Sequence, residues 1–143
     1  MTVKQISIFL ENKAGRLARV TRVLGDHGIN IRALSIADTA DFGILRLIVN
    51  QPEQAYQVLK EAGFTVSETE VIAVEVQDSP GGLATVLEAM GEAGINIEYL
   101  YAFVSKPADD ALVVFRVENP AAAMVILNEK GIRTLSGEEV YRL

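Results

Sequence analysis

The sequence predicts an α+β protein made of two copies of one unit, each with an antiparallel sheet that carries helices on one face. The first observation is an internal repeat: residues 15–34 read GRLARVTRVLGDHGINIRAL and residues 81–100 read GGLATVLEAMGEAGINIEYL, and 10 of the 20 positions agree. The agreement resumes beyond a two-residue insertion, from Val49/Val117 to Gly63/Gly131. The second observation is the order of hydrophobic periods, which in each copy indicates strand, helix, strand, strand, helix, strand. A repeat of this length is a small domain rather than a solenoid unit.

In copy one, the alternation of Ile6, Ile8 and Leu10 predicts a strand over residues 3–10. Leu17, Val20 and Leu24 recur at three- and four-residue spacing and predict a helix, which Gly25 and Gly28 end. The remaining elements predicted for this copy are a strand at 29–36, a turn at 38–41, a strand at 43–49, a helix from Pro52 to a stop at Gly63, and a short strand at 64–67.

Copy two repeats this order with no linker before it. Its predicted elements are a strand at 70–76, a helix that opens at 78–83, strands at 95–104 and 112–117, and a helix from Pro120 to a stop at Gly131. Residues 139–142 stand where 70–76 follow copy one, so we expect them to pair with a neighbouring sheet. The βαββαβ order is the ferredoxin-like arrangement. We therefore expect two ferredoxin-like domains in tandem, residues 1–69 and 70–143.

The composition argues against catalysis. The chain of 143 residues has no cysteine, which excludes disulfides and thiolate sites, and its single histidine, His27, stands at the predicted end of a helix. One histidine without cysteine cannot form a typical zinc site. Phosphate-loop and dinucleotide-binding motifs are both missing. We expect no enzyme activity, no catalytic residue, no metal and no cofactor, and we interpret His27 as a solvated residue.

The charge also limits the partners. The formal net charge is −6, which argues against a general binder of nucleic acid or anionic membranes. No apolar run approaches the roughly 18 residues of a membrane span, and the N-terminal segment lacks the apolar stretch of a signal peptide, so we expect a cytoplasmic location.

The charge is unevenly distributed along the chain. Residues 1–35 carry +4 and the rest carry −10. Opposite charges favour docking between copies or between chains, and the alternative is two ordinary solvated faces. Arg16, Arg19 and Arg22 recur every three residues on the first helix, and they form either a solvated face or a docking stripe for an acidic partner.

The turn between the first strand and the first helix is the feature that suggests chemistry. It reads NKAGRL at residues 12–17 and DSPGGL at residues 78–83. Its glycines leave backbone N–H groups of the first helical turn uncovered, and such donors at the positive end of a helix dipole suit a carboxylate. Asn12 or Asp78 could cap the helix or accept from a ligand ammonium. Asn30 and Asn96, after the helix, can both donate and accept. The alternative is a plain capped turn.

The pattern D/N-x-P/A-G-x-L, followed after about ten residues by G-I-N-I within a βαββαβ unit, resembles the ACT domain, and it occurs twice across essentially the whole chain. The resemblance implies a regulatory module that binds amino acids where two such domains meet; more narrowly, the chain is similar to free-standing tandem ACT proteins without a catalytic domain. It also implies that the loop residue, the amides around Gly-x-Leu and the later Asn hold the ligand. The matching residues are Asn12, Gly15, Arg16, Leu17 and Asn30 in copy one, and Asp78, Gly81, Gly82, Leu83 and Asn96 in copy two.

Two departures limit what the resemblance implies. Ala14 replaces the usual proline of the copy-one turn, and Leu10 and Val76 stand where amino-acid-binding dehydrogenases of the family have a histidine. The copies also differ from each other: Arg16 faces Gly82 across the repeat, which adds a cation to copy one, and Asp78 favours an ammonium in copy two. Ligand specificity therefore cannot be carried over.

One strand of copy two is aromatic where copy one is small. Tyr99, Tyr101 and Phe103 should share one side of a strand, and their equivalents are Ala33, Ser35 and Ala37. The aromatic side chains could form an interlocking seam, a wall beside the ligand, or ordinary packing onto their own helices.

The leading hypothesis is a non-enzymatic sensor of an amino acid, which acts as a homodimer, binds its ligand at ACT-domain seams and signals to a metabolic enzyme. The alternative is a constitutive interaction subunit of an enzyme complex with a vestigial ligand site. The first hypothesis expects an amino acid ligand, and neither expects nucleic acid or membrane as a partner.

Overall fold

A computed structural model describes residues 2–38, 41–104 and 110–143 of the chain. It divides into two compact units, residues 4–69 and residues 70–143 with 1–3. Each unit has an antiparallel sheet with helices, so the predicted α+β class and the tandem ferredoxin-like folds are confirmed.

The first unit contains copy one of the repeat. Its elements are β1 (Val3–Glu11), α1 (Arg16–Asp26), β2 (Ile31–Asp38), β3 (Phe42–Val49) and α2 (Pro52–Glu61). In its sheet β3 lies between β1 and β2 and is antiparallel to both, with Leu45 opposite Ile8 and Ile36, which leaves β2 at the edge. The core forms where Ile8 and Leu45 meet the buried helical side chains Val20, Leu24 and Leu59.

The second unit contains copy two. Its elements are most of β4 (Thr65–Val76), then α3 (Gly82–Glu92), β5 (Ile97–Ala102), β6 (Ala111–Val117), α4 (Pro120–Glu129), β7 (Thr134–Leu135) and α5 (Gly137–Tyr141). β6 lies between β4 and β5, β7 pairs with β4, and β5 is at the edge. Val74 and Phe115 meet the helical side chains Met90 and Leu127 in its core.

The two strands predicted at 64–67 and 70–76 are one strand, β4. Residues 64–76 read FTVSETEVIAVEV, which contains neither Gly nor Pro and is rich in β-branched residues, so nothing in this segment interrupts an extended backbone.

The strand predicted at 139–142 is wrong, because α5 occupies this segment. Ser136 accepts a hydrogen bond from the Glu139 N–H at 3.2 Å, and the Glu139 carboxylate accepts one from the Ser136 N–H at 3.1 Å. This reciprocal capping box satisfies two N–H groups that a helix start otherwise leaves unpaired. Two residues, Thr134 and Leu135, do form a strand, β7, beside β4.

The strands that follow α1 and α3 begin two residues later than predicted. Gly28 and Gly94 have positive φ of 69° and 73°, and the next residues, Ile29 and Ile95, donate back to the helix carbonyls of Leu24 and Met90. These bonds complete the helix ends, so the strands start only at Ile31 and Ile97. In the turn predicted at 38–41, Thr39 and Ala40 lie outside the described residues.

Tyr99 and Tyr101 do not pack onto the helices of their own unit. Tyr101 pairs with Val114, whereas the residues of β6 that face the helices are Val113, Phe115 and Val117. Cross-strand partners share a face of the sheet. Of the three interpretations of these tyrosines, packing onto their own helices is therefore wrong.

Candidate functional site

The glycines Gly15 and Gly81 stand at the N-caps of α1 and α3 with the same backbone conformation. Their φ angles are +88° and +84°, in the left-handed region, which L side chains rarely adopt. The space where a Cβ would lie is open at both positions, so the backbone angle rather than crowding favours glycine there.

A glycine at the N-cap has no side chain with which to cap the helix. The N–H groups of Arg16 and Gly82 donate to the carbonyls of Lys13 and Ser79 at 3.4 and 2.9 Å. The next N–H in each helix, that of Leu17 or Leu83, donates to no atom of the described residues. Each copy therefore has an N–H group at the positive end of a helix that no described residue engages.

In copy one this loop carries charges that pair with each other. Lys13 Nζ lies 2.9 Å and Arg16 Nη2 lies 3.5 Å from the Glu11 carboxylate. The hydrogen bond and the charge of Lys13, and after them the charge of Arg16, lower the pKa of Glu11 below its ordinary value. A ligand carboxylate beside Arg16 would compete with Glu11 for this guanidinium.

Three of the predicted residues of copy one come together around a small cavity of about 60 Å³. Asn12, Arg16 and Leu17 line it with Ile36 of β2 and Gly43 of β3. Leu17 and Ile36 are 45% and 51% exposed, so the cavity opens at the free edge of the unit. Since ligand pockets usually exceed about 300 Å³, this cavity is not a complete site by itself.

The equivalent loop of copy two is built differently. Gly82 is buried, and a Cβ added to it would lie 1.9 Å from the Gln77 carbonyl oxygen. The start of α3 is thus closed over the end of β4, whereas the start of α1 carries Arg16 at the same position of the repeat. The difference between Arg16 and Gly82 is therefore one of packing as well as of charge.

Asn30 and Asn96 lie far from the loops of their own copies. Each follows a helix of 11 residues, which spans about 16 Å at 1.5 Å per residue. The Asn30 N–H donates to Asn50 Oδ1 at 2.9 Å, and the Asn50 N–H donates to the Asn30 carbonyl at 3.1 Å. Asn30 thus joins the start of β2 to the end of β3, and within one copy it does not meet Asn12.

A larger cleft occurs at the same place in both copies, where the first helix begins beside the turn that follows the second helix. In copy one it measures about 250 Å³, and Phe9, Arg16, Arg19, Phe42 and Phe64 contribute to its wall. Arg19 stacks on the Phe64 ring at 5.1 Å and donates to the Ala62 carbonyl at 3.0 Å. No sequence motif pointed to this cleft, although Phe9, a large aromatic residue at an outward position of β1, was a signal for it.

The copy-two cleft measures about 320 Å³ and lacks the aromatic wall. Gly82 and Thr85 lie on one side of it and Arg133 on the other. Arg133 pairs with the carboxylates of Glu75 and Glu139 at 3.2 and 2.6 Å. The cation of this cleft therefore comes from the turn after α4, whereas that of copy one comes from α1.

His27 caps the C-terminal end of α1 and is exposed, with its Nδ1 2.8 Å from the Val23 carbonyl oxygen. Among the described residues, no group of three or more His, Cys, Asp or Glu could hold a metal ion. None of the described helices is long and apolar enough to span a bilayer.

Comparison with known proteins identifies the family. A model of the ACT domain pair matches residues 1–143. The chain belongs to the ACT domain pair family. The resemblance inferred from the repeated loop and G-I-N-I motifs is therefore confirmed over the whole length. No protein of curated function matches the chain.

Several solved structures are similar to this ACT domain pair. Protein BT0572 from Bacteroides thetaiotaomicron is 45% identical, with a TM-score of 0.94, and the match covers 100% of this chain and 98% of that one. The regulatory subunit of aspartate kinase from Thermus thermophilus, in a ligand-free form, is 18% identical, with a TM-score of 0.62 and coverage of 88% and 91%. The corresponding subunit from Thermus flavus is 17% identical, with a TM-score of 0.60 and coverage of 88% and 90%. At these lower identities the Thermus proteins share the fold.

Proposed function

We propose that this ACT domain pair is a non-enzymatic regulatory protein that binds an amino acid and passes the signal to a metabolic enzyme. The observation that carries the proposal is the repeated helix start, at which Gly15 and Gly81 adopt the same left-handed conformation and leave N–H donors free beside a cleft. Membership in a family of regulatory domains supports the same function.

The proposed ligand binds with its carboxylate on the free amides near Leu17 or Leu83 and its ammonium near Asn12 or Asp78. Because Asn30 and Asn96 lie at the far ends of α1 and α3, an amide that completes the site would come from another ACT unit. Such a site links ligand binding to assembly, and we propose that the protein acts as a cytoplasmic homodimer. Coupling of this kind is typically worth about 1–3 kcal/mol.

The alternative is a constitutive interaction subunit with a vestigial site. The ion pairs of Glu11 favour it for copy one, because they already engage Lys13 and Arg16. In copy two, Asp78 adds a negative charge beside the amides at which a carboxylate would bind. If both sites are vestigial, the protein binds its partner enzyme with or without amino acids.

A thermal-shift screen against the twenty amino acids, followed by calorimetry of any hit, tests the proposal. A ligand at about 100 times its Kd adds roughly 2.7 kcal/mol of stability, which is a shift of several degrees. Asn12→Ala and Asp78→Ala report on the two loops, and Asn30→Ala and Asn96→Ala on the distant amides. Asn128→Ala, on the exposed surface of α4, is the matched control. A hit weakened by a loop variant but not by the control supports a sensor; no hit among the twenty favours the constitutive subunit.

A further inference from the structure

The clefts beside α1 and α3 are lined by equivalent positions of the repeat, but their chemistry differs. Each cleft lies within one unit of the chain. Phe9 in the wall of the copy-one cleft corresponds to Glu75 in copy two. Phe42 corresponds in the same way to Asp110. The copy-one cleft is therefore aromatic at two positions where the copy-two cleft carries carboxylates.

The cations of the two clefts also differ. Arg16 and Arg19 of α1 line the copy-one cleft, and the equivalent residues of α3 are uncharged, namely Gly82 and Thr85. The copy-two cleft has Arg133 instead, which pairs with two carboxylates. Arginines beside exposed aromatic rings are thus a property of copy one alone.

Arg19 is the group in the copy-one cleft that best suits an anion. Its guanidinium lies over the Phe64 ring at 5.1 Å, and its Nη2 donates to the Ala62 carbonyl at 3.0 Å, so the group is held in place. Most of its five N–H donors remain after this bond. Arg19 is exposed and forms no ion pair with a described residue. A guanidinium in this state can bind a carboxylate through two parallel hydrogen bonds.

Two half-exposed phenyl rings belong to the same cleft. Phe9 and Phe42 are 50% and 56% exposed. Phe9 lies opposite Ile44 and Phe42 lies opposite Glu11 in the antiparallel pair of β1 and β3, so the two rings are diagonal neighbours on one face of the sheet. An aromatic ring of a ligand would cover apolar surface that both side chains leave in water.

The size and the charge of the cleft restrict the rest of the ligand. Its volume is about 250 Å³, below the range of roughly 300–1,000 Å³ for drug-sized molecules, so it has room for one ring and a short chain. The charged residues among those that line it are Arg16, Arg19 and Glu11. Glu11 is already paired with Lys13 and Arg16. A ligand ammonium would therefore meet an excess of positive charge, which favours an acid over an amino acid.

We propose that the copy-one cleft binds a small aromatic carboxylate that has no ammonium group. The carboxylate binds Arg19, the ring lies against Phe9 and Phe42, and Arg16 adds positive charge beside the carboxylate. This site is separate from the proposed amino acid site of the loop, because Asn12 and Leu17 line a different cavity. The two proposals can therefore hold or fail independently.

Calorimetric titration of the full chain with 3-phenylpropionate tests the proposal. One molecule should bind per chain, because the copy-two cleft lacks both exposed rings. Hexanoate lacks the ring and 3-phenylpropan-1-ol lacks the charge, and each should bind about tenfold more weakly or less. L-Phenylalanine has the same ring and carboxylate with an added ammonium, and it should also bind more weakly than 3-phenylpropionate.

Two variants remove the proposed contacts one at a time. Arg19→Gln should weaken the binding of 3-phenylpropionate by about tenfold, because it removes a charge-assisted pair. Phe42→Ala should weaken it by about 2- to 10-fold through loss of a ring contact. Phe42 is half-exposed and outside the core of its unit, so this variant tests the site even if Arg19→Gln unfolds the chain. Circular dichroism checks the fold of both variants.

Matched controls change the other candidate sites. Arg133→Gln, in the copy-two cleft, and Asn12→Ala, in the loop, should leave the affinity for 3-phenylpropionate unchanged. No binding in the millimolar range, hexanoate as tight as 3-phenylpropionate, or an equal loss in Arg133→Gln and Arg19→Gln would each overturn the proposal. Tighter binding of L-phenylalanine would also overturn it, because the ligand would then be an amino acid. Binding that Asn12→Ala removes and Arg19→Gln retains would assign 3-phenylpropionate to the loop and reject the cleft.

Discussion

The substitution Gly82→Ala tests the packing that distinguishes the two ligand-loop helices. An alanine Cβ would lie 1.9 Å from the Gln77 carbonyl oxygen and 2.9 Å from the carbonyl carbon, whereas real Cβ contacts are essentially never under 3.0 Å. The start of α3 and the end of β4 must therefore separate by more than 1 Å. Neither partner is a flexible side chain, so the strain falls on the backbone.

We expect Gly82→Ala to destabilise the fold by about 1–3 kcal/mol, the usual cost of overpacking. At roughly 2–4 °C per kcal/mol for a chain of this size, Tm falls by about 2–12 °C. Urea unfolding followed by circular dichroism measures the change.

Gly91→Ala is the matched control, because it makes the same substitution in the same helix. A Cβ added at Gly91 would meet no neighbouring atom within 4 Å, and the φ angle of Gly91 is not positive. There alanine should stabilise by up to about 1 kcal/mol through helix propensity. If Gly82→Ala proves as stable as Gly91→Ala, the close approach of α3 to Gln77 does not exist in solution.

Three further predictions follow from the caps. Gly15→Ala should cost about 1–3 kcal/mol, because it places a side chain at φ +88°; in denaturant unfolding, a stability equal to that of the wild type would contradict the left-handed N-cap. Ser136→Ala should cost about 1 kcal/mol through loss of the capping box, while Ser136→Asp, which can still cap, should retain most of the stability. The hydrogen bond from the Ser136 N–H, and more weakly the charge of Arg133, lowers the pKa of Glu139 in the folded state. The ionised Glu139 therefore stabilises the fold fully above its ordinary pKa of 4.5, and this stabilisation is lost as the pH falls through the lowered folded-state pKa. In denaturant unfolding at decreasing pH, Glu139→Gln should lose less free energy of unfolding than the wild type. Equal losses in the two proteins would refute this role of Glu139.

The elements that could be predicted from the sequence are those whose signals are local. The alternation of Ile6, Ile8 and Leu10, the helical spacing of Val20 and Leu24, and paired glycines at helix ends each determine structure within a few residues. The capping box of Ser136 and Glu139 was also readable as S-x-x-E, but the comparison with residues 70–76 favoured a strand there. At the end of the chain the local cap, rather than the correspondence between copies, decides the structure.

The parts of the candidate site that could not be predicted depend on distance across the fold. The family resemblance assigned both Asn12 and Asn30 to ligand binding, and nothing in their spacing shows that they lie beyond opposite ends of α1, a helix about 16 Å long. Likewise, the sequence showed Gly82 only as a position that lacks the charge of Arg16. In the structure the Gln77 carbonyl leaves no room for any side chain at this position. Contacts between residues of different elements decide both points.

The residue differences between the copies give the two units unequal charge at equivalent positions of the repeat. Two identical units would present identical edges, and a charged edge repels its own copy. Arg22 and Glu88 give the two edges opposite charge at one repeat position, while Leu34 and Leu100 keep the same apolar character. Arg16 and Gly82 likewise make the two helix starts unequal beside the proposed ligand loops.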